Sequence, residues 1–343
     1  MGNYAFNNLD LNDRSILVTG GTGSFGQIFI KTVLERYKPK RLIVFSRDES
    51  KQFDMANDYR YSPMDAGGLP LRFFIGDVRD QSRLEMAMHD VDVVVHAAAM
   101  KHVTAAEYNP VECVKTNVHG AENIVAAAFN AGVKKVIALS TDKAVNPVNL
   151  YGASKLAADK IFIAANNLAG KRATRFAVVR YGNVLGSRGS VLPYFRGLID
   201  KGAKFLPITD ERMTRFWITL PGGVAFVLSC LDMIQGGEIF VPKIPSMRIV
   251  DLAKALAPDL PTRVIGIRPG EKLHEMLLTS DESRTTLDFG DRYVVEPSFA
   301  FWTRDTYVNA GAKPVPEEYA YTSNGNDHWL DGETLRQMIG ATT

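Results

Sequence analysis

The run Ser140-Thr141-Asp142-Lys143-Ala144-Val145-Asn146-Pro147-Val148-Asn149-Leu150-Tyr151-Gly152-Ala153-Ser154-Lys155 follows directly on an apolar segment, Lys135–Leu139, that reads as a strand. It gathers a hydroxyl, a carboxylate and an amine at the strand's end, then sets a tyrosine four residues before a lysine. Groups of these kinds converging on one substrate can carry protons to and from it. Residues four apart share a helix face, so the Lys155 ammonium can stabilise a Tyr151 phenolate and bring its pKa down from about 10. Tyr151 then serves as a base near neutrality. The competing reading is an ordinary surface pair, because this spacing recurs on many helices, and what lies upstream favours chemistry. Asp142-Lys143 reads either as an acid/base pair or as a salt-bridged strand end.

Upstream, Ile16-Leu17-Val18-Thr19 is a short apolar strand that runs into Gly20-Gly21-Thr22-Gly23-Ser24-Phe25-Gly26 and then into the helical spacing Ile28, Phe29, Val33, Leu34. Glycines at 20, 23 and 26 permit a tight turn, close approach of backbone N–H groups to a pyrophosphate, and close packing of helix on strand. That setting favours dinucleotide binding over a plain glycine turn. About twenty residues on, where such folds read the adenosine ribose, the strand Leu42–Phe45 ends in Ser46-Arg47-Asp48-Glu49-Ser50-Lys51. Arg47 and Lys51 offer cations to a 2′-phosphate, which favours NADP, while Asp48 keeps NAD open. The plainer alternative is that Arg47, Asp48 and Glu49 only open a solvated helix. A third strand, Arg72–Val78, would turn its polar end, with Asp77 and Val78, towards the adenine. A fourth, Val91–His96, leads into Ala97-Ala98-Ala99, small residues that let the backbone lie close to a cofactor.

These segments alternate with helical stretches, which predicts an α/β fold: a doubly wound parallel sheet with a second, smaller lobe. Further strands are expected at Arg175–Arg180 and Glu238–Val241, helices at Val111–Asn130, Tyr151–Leu168 and Pro221–Ile234, and a surface loop at Asp65–Pro70. After Asn183 the alternation weakens and basic residues accumulate through Arg188, Arg196, Arg212, Arg215, Arg263 and Arg268. That suggests a lobe closing over the carboxyl ends of the strands, where ligands of such sheets bind. The division expected is 1–183 with 217–242 for the dinucleotide, and 184–216 with 243–343 for the substrate.

The 343 residues are 46% hydrophobic, enough for a substantial core. A formal charge of +2 gives no ground for a nucleic-acid or membrane partner. Cys113 and Cys230 lie in apolar helical patterns without CxxC spacing, so buried reduced thiols are expected. The histidines show no metal-ligand spacing, and His96 and His102 read as structural. No secretory or myristoylation signal opens the sequence, and the longest apolar helix candidate, Val224–Ile234, is shorter than the about 20 residues a bilayer span needs. A soluble, cytoplasmic protein is expected.

Together the motifs resemble the extended short-chain dehydrogenase/reductase family, and over nearly the whole length the chain is similar to its inverting UDP-N-acetylglucosamine 4,6-dehydratases, which open pseudaminic acid synthesis. The resemblance rests on Thr-Gly-Gly-Thr-Gly-Ser-Phe-Gly (19–26), Ser-Arg-Asp-Glu (46–49), Gly-Asp-Val-Arg-Asp (76–80), His-Ala-Ala-Ala-Met-Lys-His-Val (96–103), Ser-Thr-Asp-Lys-Ala (140–144), Tyr-Gly-Ala-Ser-Lys (151–155), Arg-Tyr-Gly-Asn-Val (180–184), Arg-Met-Thr-Arg-Phe-Trp (212–217) and Arg-Pro-Gly-Glu-Lys (268–272). The glycine motif and Tyr-x-x-x-Lys mark only the superfamily. Asp142-Lys143 narrows it, since retaining sugar-nucleotide dehydratases resemble Asp-Glu there and 4-epimerases lack both partners. Tyr151 separates the chain from a branch with methionine in its place. The segment around Tyr61–Pro70 is longer than the family's.

The resemblance implies a catalytic set of Asp142, Lys143, Tyr151 and Lys155. Tyr151, assisted by Lys155 and a hydroxyl at Thr141 or Ser140, would take the sugar 4-OH proton as hydride leaves for NADP⁺. Lys143, its pKa lowered by desolvation near other cations, would take the acidified C5 proton. Asp142 or Lys143 would protonate the departing 6-OH, and hydride would return to C6 with C5 reprotonated from the opposite face. The implied cofactor set is Gly20, Thr22, Gly23, Ser24, Phe25, Gly26, Ser46, Arg47, Asp48, Glu49, Lys51, Asp77, Val78, Ala97, Lys101 and Thr116 with Tyr151 and Lys155, holding NADP tightly. The implied contacts to UDP-N-acetylglucosamine are Lys101, Asn183, Val184, Arg188, Val191, Arg215, Arg268 and Glu271. Arg215 and Arg268 would clamp the diphosphate and Glu271 would accept from the uridine ribose. No metal is expected, and a homo-oligomer, hexameric by the family, is. A 4-epimerase or retaining dehydratase would share the cofactor site and differ at 142–143. An NADP-binding regulator would need the glycine loop but neither Tyr151 nor Lys143.

Overall fold

Ser15–Thr19 and Val93–His96 are buried along their whole length, as strands of a parallel sheet covered on both faces must be. The computed structural model describes residues 4–60, 68, 70–187, 189–299 and 305–340. The first half alternates strand and helix: β1 (Ser15–Thr19), α1 (Ser24–Arg36), β2 (Arg41–Ser46), α2 (Glu49–Arg60), β3 (Leu71–Ile75), α3 (Gln81–Met88), β4 (Val93–His96), α4 (Val103–Tyr108), α5 (Pro110–Val114), α6 (Gly120–Ala131), β5 (Lys135–Thr141), α7 (Leu150–Leu168) and β6 (Arg175–Tyr181). The second half is less regular. It comprises β7 (Asn183–Val184), α8 (Val191–Asp200), β8 (Leu206–Ile208), β9 (Thr214–Ile218), α9 (Leu220–Met233), β10 (Ile239–Pro242), β11 (Ser246–Arg248), α10 (Ile249–Leu256), β12 (Thr262–Val264), β13 (Met276–Leu278), β14 (Thr286–Asp288), β15 (Arg292–Val295), α11 (Asp305–Asn309), β16 (Lys313–Pro314), β17 (Tyr321–Thr322) and α12 (Gly332–Gly340).

One sheet runs β16-β14-β15-β10-β6-β5-β4-β1-β2-β3. From β3 to β10 the strands are parallel; β15, β14 and β16 continue it antiparallel. Strand order reverses between β1 and β4, which opens a crevice at their carboxyl ends. A second core, with Leu192, Phe195, Ile208, Trp217, Leu252 and Leu335, lies in the smaller lobe. Strand β9 is the wall between the two cores: Phe216 and Ile218 face the large one and Trp217 the small one, as side chains alternating along a strand must.

The sheet and most expected strands lie within a few residues of where the sequence puts them, with two informative differences. The helix expected at Val111–Asn130 is α5 and α6 joined by a π-helical turn, Lys115–His119. Inside that wider turn Asn117 exchanges hydrogen bonds with the Met100 backbone at 2.8 and 3.0 Å and donates to Ser154 Oγ at 2.9 Å, which ties the turn to the loop after β4 and to α7. Thr286–Asp288, Arg292–Val295 and Lys313–Pro314, grouped by sequence with the substrate lobe, instead pair into the large sheet as β14, β15 and β16. Strands of two to four residues are too short to show a period. Of the loop expected at Asp65–Pro70, only Gly68 and Pro70 lie within the described residues.

Candidate active site

A cleft of about 1460 Å³ runs from the turn after β1 to the smaller lobe. At its dinucleotide end, β1 passes through 20–23 into α1. A Cβ on Gly26 would lie 2.5 Å from the Gly21 carbonyl oxygen, so only glycine lets the helix start this close to the turn. The α1 N-cap, Gly23, makes no side-chain cap bond, which leaves the first N–H groups of the helix for an anion. Thr22 Oγ1 and Ser46 Oγ are hydrogen-bonded at 2.9 Å and pin the turn to the end of β2. These features fit the pyrophosphate and ribose of a nicotinamide dinucleotide.

Of the residues expected to hold that cofactor, Gly20, Thr22, Gly23, Ser24, Phe25, Gly26, Ser46, Arg47, Asp48, Lys51, Val78, Ala97, Lys101, Thr116, Tyr151 and Lys155 line the cleft. Glu49 and Asp77 do not. Glu49 opens α2 and is exposed. The Asp77 carboxylate takes Arg79 Nη2 at 2.6 Å and stands 3.5 Å from Arg47. Burial works against its charge, but the Arg79 hydrogen bonds and the Arg47 charge hold its pKa below the usual carboxylate range.

At the other end, β5 delivers Ser140 and Thr141, and a 3-10 turn, Asp142–Ala144, swings Lys143 into the cleft. Asn149 caps α7 by accepting the Gly152 N–H at 2.7 Å. Gly152 has to be glycine because a Cβ would run into the Lys143 carbonyl. That contact brings Tyr151 close to the 142–144 turn. Asp142 is 0% exposed; its Oδ1 accepts from Lys143 Nζ at 2.9 Å and from Thr141 Oγ1 at 2.8 Å, and its Oδ2 has no hydrogen-bond partner among the described residues. Lys143 Nζ also donates to Asn183 Oδ1 at 3.2 Å and lies 3.5 Å from Glu275 Oε1.

The electrostatics correct two expectations. The Tyr151 phenol is pushed up to about 12: burial raises it most and Asp142 and Asp159 add to the rise, while the Lys143 charge and a hydrogen bond with Thr141 pull it down. The Lys155 amine donates to the Leu139 carbonyl at 2.6 Å, and burial lowers its own pKa. Burial also opposes the Lys143 charge, yet Asp142 and Glu275 outweigh burial and the opposing Arg215, so its pKa is raised rather than lowered. Of the two hydroxyls expected to assist Tyr151, Thr141 hydrogen-bonds with it, while Ser140 lines the same cleft and donates to Asp159 Oδ2 at 2.8 Å.

In the lobe, Asn183, Val184, Val191, Arg215, Arg268 and Glu271 line the same cleft; Arg188 lies outside the described residues. Arg268 is exposed, but Arg215 is buried and directs its N–H groups to the carbonyls of Thr214, Lys272 and Leu273 and to Glu275. A bidentate clamp on a diphosphate is therefore not open to Arg215 in this arrangement. The sequence reading missed Glu275 and Lys272 as site residues. Lys272 donates to the Val145 carbonyl and Asn149 Nδ2 to the Gly270 carbonyl at 2.7 Å, so the 268–275 segment is strapped to the catalytic loop. The one available signal was that this motif runs on as Leu-His-Glu after Lys272. Among the described residues no His/Cys/Asp/Glu group could hold a metal, and no helix is long and apolar enough to cross a membrane.

The family model described as "Polysaccharide biosynthesis protein" matches residues 16–297. The chain is 56% identical over 336 residues, 96% of its own length and 98% of the relative's, to a Campylobacter jejuni subsp. jejuni serotype O:2 protein named UDP-N-acetylglucosamine 4,6-dehydratase (inverting). It is 40% identical over 334 residues, 95% of each chain, to a Rickettsia canadensis protein named UDP-glucose 4-epimerase. The X-ray structure of Pen from Bacillus thuringiensis superimposes with a TM-score of 0.86 at 35% identity, covering 97% of this chain and 99% of that one. Sharing more than half its residues with an inverting UDP-N-acetylglucosamine 4,6-dehydratase along nearly its whole length, this chain belongs to that family of extended short-chain dehydrogenases/reductases.

Proposed function

We propose that this chain catalyses the configuration-inverting 4,6-dehydration of UDP-N-acetylglucosamine, giving UDP-2-acetamido-2,6-dideoxy-β-L-arabino-hex-4-ulose as the first step of pseudaminic acid synthesis. The observation that carries this reading is the Lys143 amine, held by Asp142 and Asn183 on the wall of the cleft that also contains Tyr151 and Lys155. Redox chemistry at C4 needs only the tyrosine and lysine of α7. An elimination needs a second proton-transfer centre, and the 142–143 pair supplies one.

The α1 turn would hold NADP, with Arg47 and Lys51 at its rim, and the bound cofactor would supply reversible hydride transfer between C4 and C6 of the sugar. Tyr151 takes the 4-hydroxyl proton, the Lys143 charge stabilising a phenolate that burial opposes. The resulting ketone acidifies C5–H. Asp142 is fully buried and Lys143 alone of the pair reaches the cleft, so both remaining transfers run through the amine. Its ammonium proton goes to the departing 6-oxygen, which leaves as water, and the neutral amine so formed receives the C5 proton. Reprotonation of C5 from the opposite face inverts that centre and uses one proton, matching the one Tyr151 took. Residues 1–183 carry the dinucleotide, and the lobe with Arg268 and Glu271 covers the nucleotide.

Incubation with UDP-N-acetylglucosamine in deuterium oxide tests this by mass and NMR. Expected are loss of water, a 6-methyl group, deuterium at an inverted C5, and no net consumption of NADPH. Lys143→Ala should block elimination and spare dinucleotide binding. A 4-epimerase, which the Rickettsia relative's name favours, would give a product of unchanged mass without C5 exchange, and that result would overturn the reading.

A further inference from the structure

Glu275 ends the run Arg-Pro-Gly-Glu-Lys-Leu-His-Glu, just before β13. It is 2% exposed, yet it borders the cleft. Its Oε1 stands 3.5 Å from the Lys143 amine and 3.5 Å from Arg215 Nε, and its Oε2 lies 4.0 Å from the Lys272 amine. Oε2 has no hydrogen-bond partner among the described residues. Burying a carboxylate is costly unless it is paired, and a site with no use for charge would be better served by an apolar side chain.

The surroundings fix this carboxylate in place. The Glu275 backbone N–H donates to Ser323 Oγ at 2.9 Å. Arg215 grips the Lys272 and Leu273 carbonyls, and Lys272 reaches the Val145 carbonyl on the catalytic loop. Asp142 holds the same amine from the strand side at 2.9 Å.

We infer that Glu275 is a positioning residue of the reaction: with Asp142 it forms a two-carboxylate grip that aims the Lys143 amine into the cleft and governs when that amine releases its proton. The inference rests on the dehydratase reading, in which Lys143 is both acid and base of the elimination. The charged and titratable groups facing Lys143 are Asp142 from the turn after β5, Tyr151 from α7, Arg215 from β9, and Lys272 and Glu275 from the segment before β13. Without Glu275 the ammonium would keep one carboxylate against two neighbouring cations, and it would deprotonate at lower pH.

Competitive labelling of Lys143 by a small amine-directed reagent across a pH series, read by peptide mass spectrometry on the holoenzyme, follows that amine without requiring turnover. Glu275→Gln should move the labelling midpoint down by about one pH unit, since an opposite charge this close shifts a titration by one unit or more. Lys272→Met, which removes a cation, should move it up. In steady-state kinetics Glu275→Gln should lower kcat about tenfold or more, shift the Lys143 limb of its pH profile downward and change KM less than about threefold, with Glu275→Asp recovering most of kcat. An unmoved midpoint in a Glu275→Gln protein with intact circular dichroism and dinucleotide affinity overturns the grip. Should that variant not fold, an unmoved midpoint in Lys272→Met does the same. Wild type that gives no dehydrated product while the variant midpoints still move overturns the dehydratase reading instead, so the two failures are told apart.

Discussion

Gly26 sits in the first turn of α1 with backbone directly against it. A Cβ there would lie 2.5 Å from the Gly21 carbonyl oxygen, 2.6 Å from Gly21 Cα and 2.7 Å from the Gly20 carbonyl oxygen. Non-bonded carbon contacts settle near 3.5–4.0 Å, so Gly26→Ala must drive α1 back from the turn by about 1 Å. None of the three atoms belongs to a side chain that could swing aside. Overpacking of this kind costs about 1–3 kcal/mol. The displaced helix end carries the N–H groups offered to the pyrophosphate, so the cost falls on cofactor binding. At about 1.4 kcal/mol per decade, dinucleotide affinity should fall between about fivefold and a hundredfold. Titration of the cofactor-stripped variant with NADPH, by nucleotide fluorescence or calorimetry, measures it. Gly23→Ala is a graded control, because its Cβ would meet nothing nearer than the Gly20 carbonyl oxygen at 3.1 Å, and its loss should be smaller. An affinity for Gly26→Ala within twofold of wild type would refute the claim that this glycine sets the distance between helix and turn.

Arg47 is exposed at the cleft rim beside Asp77 at 3.5 Å, and Arg47→Ala should weaken NADP about tenfold while leaving NAD nearly unchanged; equal losses for both in paired titrations would remove it as the 2′-phosphate reader. Asn149 both caps α7 and donates to the Gly270 carbonyl, so Asn149→Ala should cost about 1 kcal/mol of stability and raise KM for the nucleotide sugar. Asn149→Asp keeps the cap acceptor and loses the donation, so in urea titrations and kinetics it should show the KM effect alone. Burial, helped by the Lys155 charge, pushes the His96 imidazole down to about 3, whereas in the unfolded chain it titrates near 6.5. Below pH 6.5 the unfolded chain therefore binds a proton the folded chain refuses, and stability falls as pH drops from 6.5 towards 3, by up to about 1.4 kcal/mol per unit. His96→Gln should flatten that slope in urea midpoints compared at pH 7 and 5; an unchanged slope would contradict it.

The β1 turn and the 140–155 run were legible because local chemistry dictates each: glycine where backbone must touch backbone, and a polar cluster where an apolar strand ends. The smaller lobe was not, since β7 and β8 span two and three residues and are held by partners far along the chain. Spacing put Lys155 on the face of Tyr151 but could not show that its amine donates to Leu139, or that Lys143, from a different element, is the leading charge that pulls the phenol's pKa down. Glu275 gave no local signal beyond its place at the end of the run that starts at Arg268. It is one carboxylate in an irregular segment, and its meaning comes only from Lys143 and Arg215, which the fold brings to it from distant parts of the chain. The same long-range contacts turn the Lys143 titration in the direction opposite to the one that burial alone suggests.

The central claim is that one cleft passes a hydride and a water molecule across the same hexose. UDP-N-acetylglucosamine carrying deuterium at C4 tests it most directly. The account predicts that the deuterium reappears in the C6 methyl group of the same molecule, with no crossover when labelled and unlabelled substrates are mixed. Deuterium retained at C4, or a product that keeps its 6-hydroxyl, would contradict it.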